Sequence, residues 1–281
     1  MTYELNEKEY DDLLTNVLTS LQLVILKRPS ATLYLPVEEL NNQFKQEIKK
    51  HDTSTKRQTL KNMLTTMTDN LDNNLLFDID LIFQYDLKKK TILDYKTLIN
   101  KSRMSVWRGD ITNIRIDGIV NAANQGLLGC TTPNHPCVDN AIHSSSGPRL
   151  RLECKKIILA KTSPNLEIGN VEITSGYNLP SKYVIHVMGP KQRYGTDEGE
   201  RILKLCYENC LQIAKDNNLK SLAFCGISTG LFGFSPKVSS EIAVGVAKKF
   251  LKENPQFELI LFDVFKESDL HIYRSTIETL K

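Results

Sequence analysis

The first 103 residues contain no glycine and no cysteine, and the whole 281-residue chain has a single tryptophan. All 14 glycines and all six cysteines lie from Gly109 onward, so the composition breaks near residue 100. Also missing is any apolar run close to the ~20 residues of a membrane-spanning helix. The longest at the N-terminal end is Leu21-Gln22-Leu23-Val24-Ile25-Leu26. Met1-Thr2-Tyr3-Glu4 has no basic n-region, so no secretory signal is expected and the chain reads as intracellular and cytoplasmic. Charge of one sign is lacking too. With 36 basic and 33 acidic residues, the net charge of +3 is far from the concentrated positive field of a nucleic-acid binder. Lys and Arg are spread without aromatic interleaving, so neither a nucleic-acid nor a membrane partner is expected.

What is present is globular: 41 % apolar and 25 % charged residues. The length exceeds the ~100–200 residues of a typical domain, which predicts two units, a helical extension over 1–100 and a second unit over 101–281. In the first, Leu13, Leu14, Val17, Leu18 and Leu21 follow helical spacing, and Pro29 ends that helix after Arg28. Val37, Leu40, Phe44 and Ile48 mark a second helix over 36–50, and further periodic stretches cover 56–72 and 79–99. Lys88-Lys89-Lys90 reads as a solvated face. After residue 103, short apolar runs at 104–108, 117–122, 169–175, 183–188, 221–225 and 257–262 alternate with helical patterns at 138–158, 198–216, 236–252 and 268–280. This alternation predicts an α/β layered unit with a mainly parallel or mixed sheet, whose ligands bind at loops leaving the carboxyl ends of the strands.

Three such loops carry chemistry. Cys130-Thr131-Thr132-Pro133-Asn134-His135-Pro136-Cys137 gives Cys-x4-His-x-Cys, and two thiolates with an imidazole at that density suit Zn²⁺. Three ligands with no fourth nearby is the pattern of a catalytic metal with an open position; a structural site completed from elsewhere is the alternative. Cys206 and Cys210 share the apolar face of a helix and Cys225 ends a strand, so these thiols read as core. Gly226-Ile227-Ser228-Thr229-Gly230-Leu231-Phe232-Gly233-Phe234 runs into Ser235-Pro236, a helix start. Backbone N–H groups there could cradle a phosphate, or the loop is a plain tight turn. It is neither a Walker A nor a Gly-x-Gly-x-x-Gly motif. In the third, Asp110 either accepts an amino group or caps its own turn, Asn124 offers amide bonds to a sugar or to its own loop, and Asp139 either enters the metal pocket or caps a helix. His143 reads as support or core rather than a ligand.

Together, Gly109-Asp110-Ile111-Thr112, Asn121-Ala122-Ala123-Asn124, Val138-Asp139-Asn140-Ala141-Ile142-His143 with Gly147-Pro148, and Gly226-Ile227-Ser228-Thr229-Gly230 resemble a macrodomain over roughly residues 104–281. The Cys130–Cys137 insert, standing where hydrolytic macrodomains carry a glycine run, resembles the zinc-containing subgroup of protein-ADP-ribose hydrolases. That resemblance implies a three-layer α/β/α fold with a mixed central sheet and one Zn²⁺ held by Cys130, His135 and Cys137. It places the adenine at Asp110 and the Ile111 backbone, with Phe265 packing beside it. Ser228, Thr229, Gly230, Leu231 and Phe232 would wrap the diphosphate, and Ala123 and Asn124 would line the distal ribose beside the metal and Asp139. The implied catalytic residues are Asn124 and Asp139, and the implied partners are ADP-ribose and a mono-ADP-ribosylated protein. The activity implied is hydrolytic removal of mono-ADP-ribose from protein side chains. The alternatives are a non-catalytic ADP-ribose reader with a structural zinc, or an O-acetyl-ADP-ribose deacetylase.

Overall fold

The computed structural model describes residues 4–29, 35–191 and 196–280. Four helices come first: α1 (Glu7–Leu26), α2 (Val37–Ile48), α3 (Thr53–Thr66) and α4 (Asn73–Lys88). Their starts follow from side-chain chemistry. Asn6 and Glu9 form a capping box on α1, while Asp52 and Asp72 accept from the Thr55 and Leu75 N–H groups to open α3 and α4. The row Leu14, Val17, Leu18 and Leu21 is buried among Leu60, Ile79 and Ile82, giving these helices a core of their own. The helices expected over 56–72 and 79–99 lie further upstream, because the aspartate caps precede the apolar rows. The remainder of 79–99 is not one helix. After the C-cap at Lys89 come strand β1 (Leu93–Asp94) and a 3₁₀ turn over Tyr95–Leu98, capped by Asp94.

The second part contains β2 (Met104–Arg108), β3 (Ile114–Arg115), β4 (Gly118–Ala122), α5 (Val138–Ser146), α6 (Pro148–Ala160), β5 (Val171–Ser175), β6 (Tyr183–Val187), α7 (Thr196–Asp216), β7 (Ser221–Phe224), α8 (Pro236–Glu253), β8 (Leu259–Val264) and α9 (Glu267–Thr279). The stretch read as one helix over 138–158 breaks at Gly147, which adopts φ +89° before Pro148 opens α6. The main sheet has the order β2-β8-β7-β4-β6-β5, parallel except for β5 against β6, and β1 pairs with β3 separately. Leu259 and Leu261 of β8 face a core shared with α5 and α6, whereas Ile260, Phe262 and Val264 join a second core under α7, α8 and α9. A strand buried on both faces reads as a continuous apolar run, and the result is the expected three-layer α/β/α fold with a mixed sheet. Cys206 and Cys210 lie in the second core, as expected, and Cys225 borders the first. The helical part docks on α6 and the β5–β6 turn: Arg149 pairs with Asp80 at 2.5 Å, and Asn178 donates to Asp80 at 2.8 Å while accepting from Gln84 at 2.9 Å. No helix of the described residues is long and apolar enough to cross a membrane.

Candidate functional site

The carboxyl ends of the parallel strands β2, β8, β7, β4 and β6 share one edge, and the three chemistry-bearing loops all leave from it. Asp110 follows β2. Its Oδ1 accepts from the Thr112 N–H at 2.9 Å and the Thr112 hydroxyl at 2.7 Å, capping the 3₁₀ turn Ile111–Asn113, so the turn-capping role is real. Oδ2 has a 3.4 Å contact from the Asn113 amide. Ile111 is buried beside it.

Across from Trp107 on β8 lies Asp263, whose Oδ1 is buried without a hydrogen-bond partner among the described residues. Burial, then the charge of Asp110, pushes its carboxyl up to about 8. The unfolded group loses its proton near the ordinary 3.8, whereas the folded one keeps it to about 8. The stability contributed is therefore full below pH 3.8 and is lost as pH rises toward 8, at up to about 1.4 kcal/mol per unit. Asp263→Asn should flatten that decline. In thermal melts from about pH 5 to 8 the parent Tm is expected to fall more steeply than the variant's, and equal slopes would contradict the assignment.

At the end of β4, Asn121 and Asn124 hold Asp139, in the first turn of α5, from both sides. Asn121 Nδ2 donates to Asp139 Oδ1 at 2.8 Å, and Asn124 Nδ2 donates to Oδ2 at 3.2 Å. Asn124 also donates to the Gly129 carbonyl at 3.0 Å while its side chain stays exposed, and Ala123 is buried next to it. Burial raises the Asp139 carboxyl to about 6, against the lowering effect of the Asn121 hydrogen bond and the nearby Arg151. His143 Nε2 lies 3.6 Å from Asp139 Oδ1. Burial holds that imidazole well below its ordinary value, so the contact is not an ion pair.

The loop between these asparagines and α5 is tightly determined. Gly129 adopts φ +77°, and a Cβ there would come within 2.6 Å of the His143 ring. Cys137 is the N-cap of α5, its Sγ accepting from the Asn140 N–H at 3.4 Å. Cys130 Sγ lies 3.6 Å from His135 Nδ1, and the donor atoms of Cys130, His135 and Cys137 all lie within 4.8 Å of one another. Zn–S near 2.3 Å and Zn–N near 2.0 Å at a tetrahedral angle give an S···N edge of ~3.5 Å. The three residues thus fit a zinc ion, and all three are partly exposed. Burial pushes the metal-free Cys137 thiol up to about 11.

The glycine loop after β7 folds on itself, with the Phe234 N–H donating to the Ser228 carbonyl at 3.0 Å and the Thr229 hydroxyl to the Gly226 carbonyl at 3.0 Å. Ser228 is buried at φ +64°, and its hydroxyl has no partner among the described residues, an orphaned donor suited to an anion. Past Gly230, which has open space around it, Leu231 is 84 % exposed, and Phe265 after β8 is 86 % exposed. Lys191 Nζ stands 5.3 Å from the Phe232 ring. The structure therefore gathers the anticipated residues along one edge, with Leu231 and Phe265 standing free in solvent.

A family model described as "Macro domain" matches residues 120–243. A protein-ADP-ribose hydrolase of Staphylococcus aureus (strain MSSA476) is 42 % identical over 193 residues, covering 67 % of this chain and 72 % of the relative. The chain belongs to the macrodomain family. Among solved structures, the Oceanobacillus iheyensis macrodomain with ADP is 37 % identical over 62 % of this macrodomain protein and 90 % of its own chain, with a TM-score of 0.58. The Trypanosoma brucei macrodomain in complex with ADP-ribose is 26 % identical, covers 81 % of this chain and 97 % of its own, and has a TM-score of 0.60. That share is more than the stretch from residue 104 onward contains, so the likeness continues into the helices.

Sequence reasoning missed Asn121 as the partner of Asp139, although an amide inside the buried run of β4 was the available signal. It also missed a second metal-like group, His143, Cys154 and His186. All three residues are buried, and neither ring nitrogen of His143 has a hydrogen-bond partner among the described residues. His186 Nδ1 meets Asn121 Nδ2 at 3.1 Å and its Nε2 meets Thr174 Oγ1 at 2.9 Å, so both ring nitrogens are already engaged.

Proposed function

We propose that this protein is a hydrolase that removes mono-ADP-ribose from modified protein side chains, with residues 1–100 a helical extension and 101–281 a zinc-containing macrodomain. The observation that carries this reading is the placement of Asn124 and clamped Asp139 beside the Cys130–His135–Cys137 triad, on the same strand edge as the loop around Ser228. The names of its relatives support the hydrolytic class.

Asp110 takes the adenine amino group through Oδ2, which its turn engages only by the 3.4 Å Asn113 contact, and the Ile111 backbone lies next to it. Ser228, Thr229, Gly230, Leu231 and Phe232 wrap the diphosphate, with the buried Ser228 hydroxyl gaining the partner it lacks. Phe265 packs by the adenine, gaining apolar burial from its exposed position. Ala123 and the free Oδ1 of Asn124 line the distal ribose, and Asp139 orients water or a ribose hydroxyl at the reacting carbon. Cys130, His135 and Cys137 would hold a zinc ion, which would supply Lewis-acid polarisation of an oxygen at the scissile linkage.

The test is release of ADP-ribose from a mono-ADP-ribosylated protein by the full chain, with zinc content measured alongside. About one zinc per chain, loss of release on chelation and recovery on zinc addition are expected. Tight ADP-ribose binding without release would make the protein a reader, and turnover confined to O-acetyl-ADP-ribose would make it a deacetylase.

A further inference from the structure

Arg151, in the first half of α6, is only 7 % exposed, and its guanidinium reaches in two directions. Nη1 donates to the carbonyls of Leu64 at 2.6 Å, Thr65 at 2.9 Å and Met67 at 2.9 Å, the last turn and C-cap of α3. Nε donates to the Leu128 carbonyl at 2.7 Å and Nη2 to the Cys130 carbonyl at 3.4 Å. A helix leaves its last carbonyls without internal donors and carries partial negative charge there, while a buried cation needs such acceptors. The planar guanidinium fork serves both needs at once, and an ammonium could not span the same set. A second bond runs in parallel. Gln58 Nε2 of α3 donates at 2.8 Å to Oδ1 of Asn134, the residue before His135, which is held at φ +59°. α3 thus holds the Cys-His loop twice, from its end through Arg151 at the start of the loop and from Gln58 in its first half at the middle.

We propose that Arg151 is a positioning residue for the Cys130–Cys137 loop, transmitting the docked state of α3 to the geometry of the metal donors. This rests on the reading of that loop as a zinc site. Arg151 touches no substrate and no donor atom; it acts through the Leu128 and Cys130 carbonyls. Supporting bonds of this kind govern metal affinity in other sites by about 10–100-fold.

The test uses the full chain and zinc or cobalt ions alone. Arg151→Met and Arg151→Lys should each weaken zinc binding, measured by chelator competition, by about tenfold or more. Both should alter the thiolate-to-metal absorption of the cobalt form, with ADP-ribose affinity held within about twofold. Arg149→Gln, which removes the pair with Asp80 on the same helix but no bond to the loop, should leave zinc affinity unchanged. Because coupling is reciprocal, zinc added to the metal-free wild type should slow amide exchange at Leu64–Met67 more than in α1. That measurement decides even if both Arg151 variants fail to fold. Folded Arg151 variants with parental zinc affinity and cobalt spectrum, or an α3 end that ignores zinc, would overturn the proposal and leave the zinc reading intact. A wild type that takes up no zinc removes both.

Discussion

Replacing His135 with alanine is expected to lower ADP-ribose release on the order of 10³-fold while affinity for free ADP-ribose stays within about tenfold, ~1.4 kcal/mol. The asymmetry follows from where the contacts lie. Asp110 leaves β2, the Ser228 loop leaves β7 and Phe265 leaves β8, all remote in sequence from the triad. On the proposed reading they would supply affinity that is equal in ground and transition states, whereas a zinc held beside Asn124 and Asp139 would meet charge that develops only as the bond breaks. His135 is half-buried and packs against Cys130 rather than in either sheet core, so its removal should cost little stability. Zinc content, calorimetric ADP-ribose binding and single-turnover release are the measurements. A folded, metal-free variant that turns over at the parental rate would contradict a metal at the scissile bond.

Asp139→Asn, though isosteric, is expected to cost about 10²–10⁴-fold in release, the range for loss of a group that handles the proton. Both carboxylate oxygens accept from amide donors, so an asparagine would set its own N–H₂ against one of them. Asn121 can turn its unpartnered Oδ1 toward the new amide, but His186 Nδ1 then loses its donor. A stability loss of about 1–3 kcal/mol accompanies the activity loss. Zinc stoichiometry and ADP-ribose affinity should be nearly unchanged, which separates this variant from His135→Ala. Retained turnover would leave Asp139 a purely structural acceptor.

The layers and the sheet edge were legible because β-branched runs, helix rows and strand-end loops are local patterns. So was the density of Cys130, His135 and Cys137, since three soft donors in eight residues converge whatever the surroundings. Asp110 shows the limit of local reading. Its turn-capping role and its proposed ligand-binding role use the same carboxylate, and only the structure separates Oδ1, with two close donors, from Oδ2, with a single 3.4 Å contact. The break at Gly147 escaped notice because the apolar rows of α5 and α6 continue across it. Arg151 was invisible for a different reason. Its five carbonyl partners come from α3 and from the metal loop, and no window of sequence contains all three elements. Asp263 likewise reads as one polar residue in a strand until β2 places Asp110 beside it.

The edge position of β2 has a consequence for how the protein is made. Among the described residues that strand joins the sheet only through β8, the last strand they contain, with Met104 opposite Ile260 and Arg108 opposite Val264. During synthesis the α1–α4 core can close early, because its members lie within Tyr10–Phe83. Trp107 must wait, without its strand partner Asp263, until residue 264 has left the ribosome. Parallel pairing across so long a connection carries a large loop-closure cost and is slow. A nascent chain stalled after α8 therefore has its Cys-His loop and glycine loop but no seat for β2, and that side of the strand edge forms only once β8 has been made.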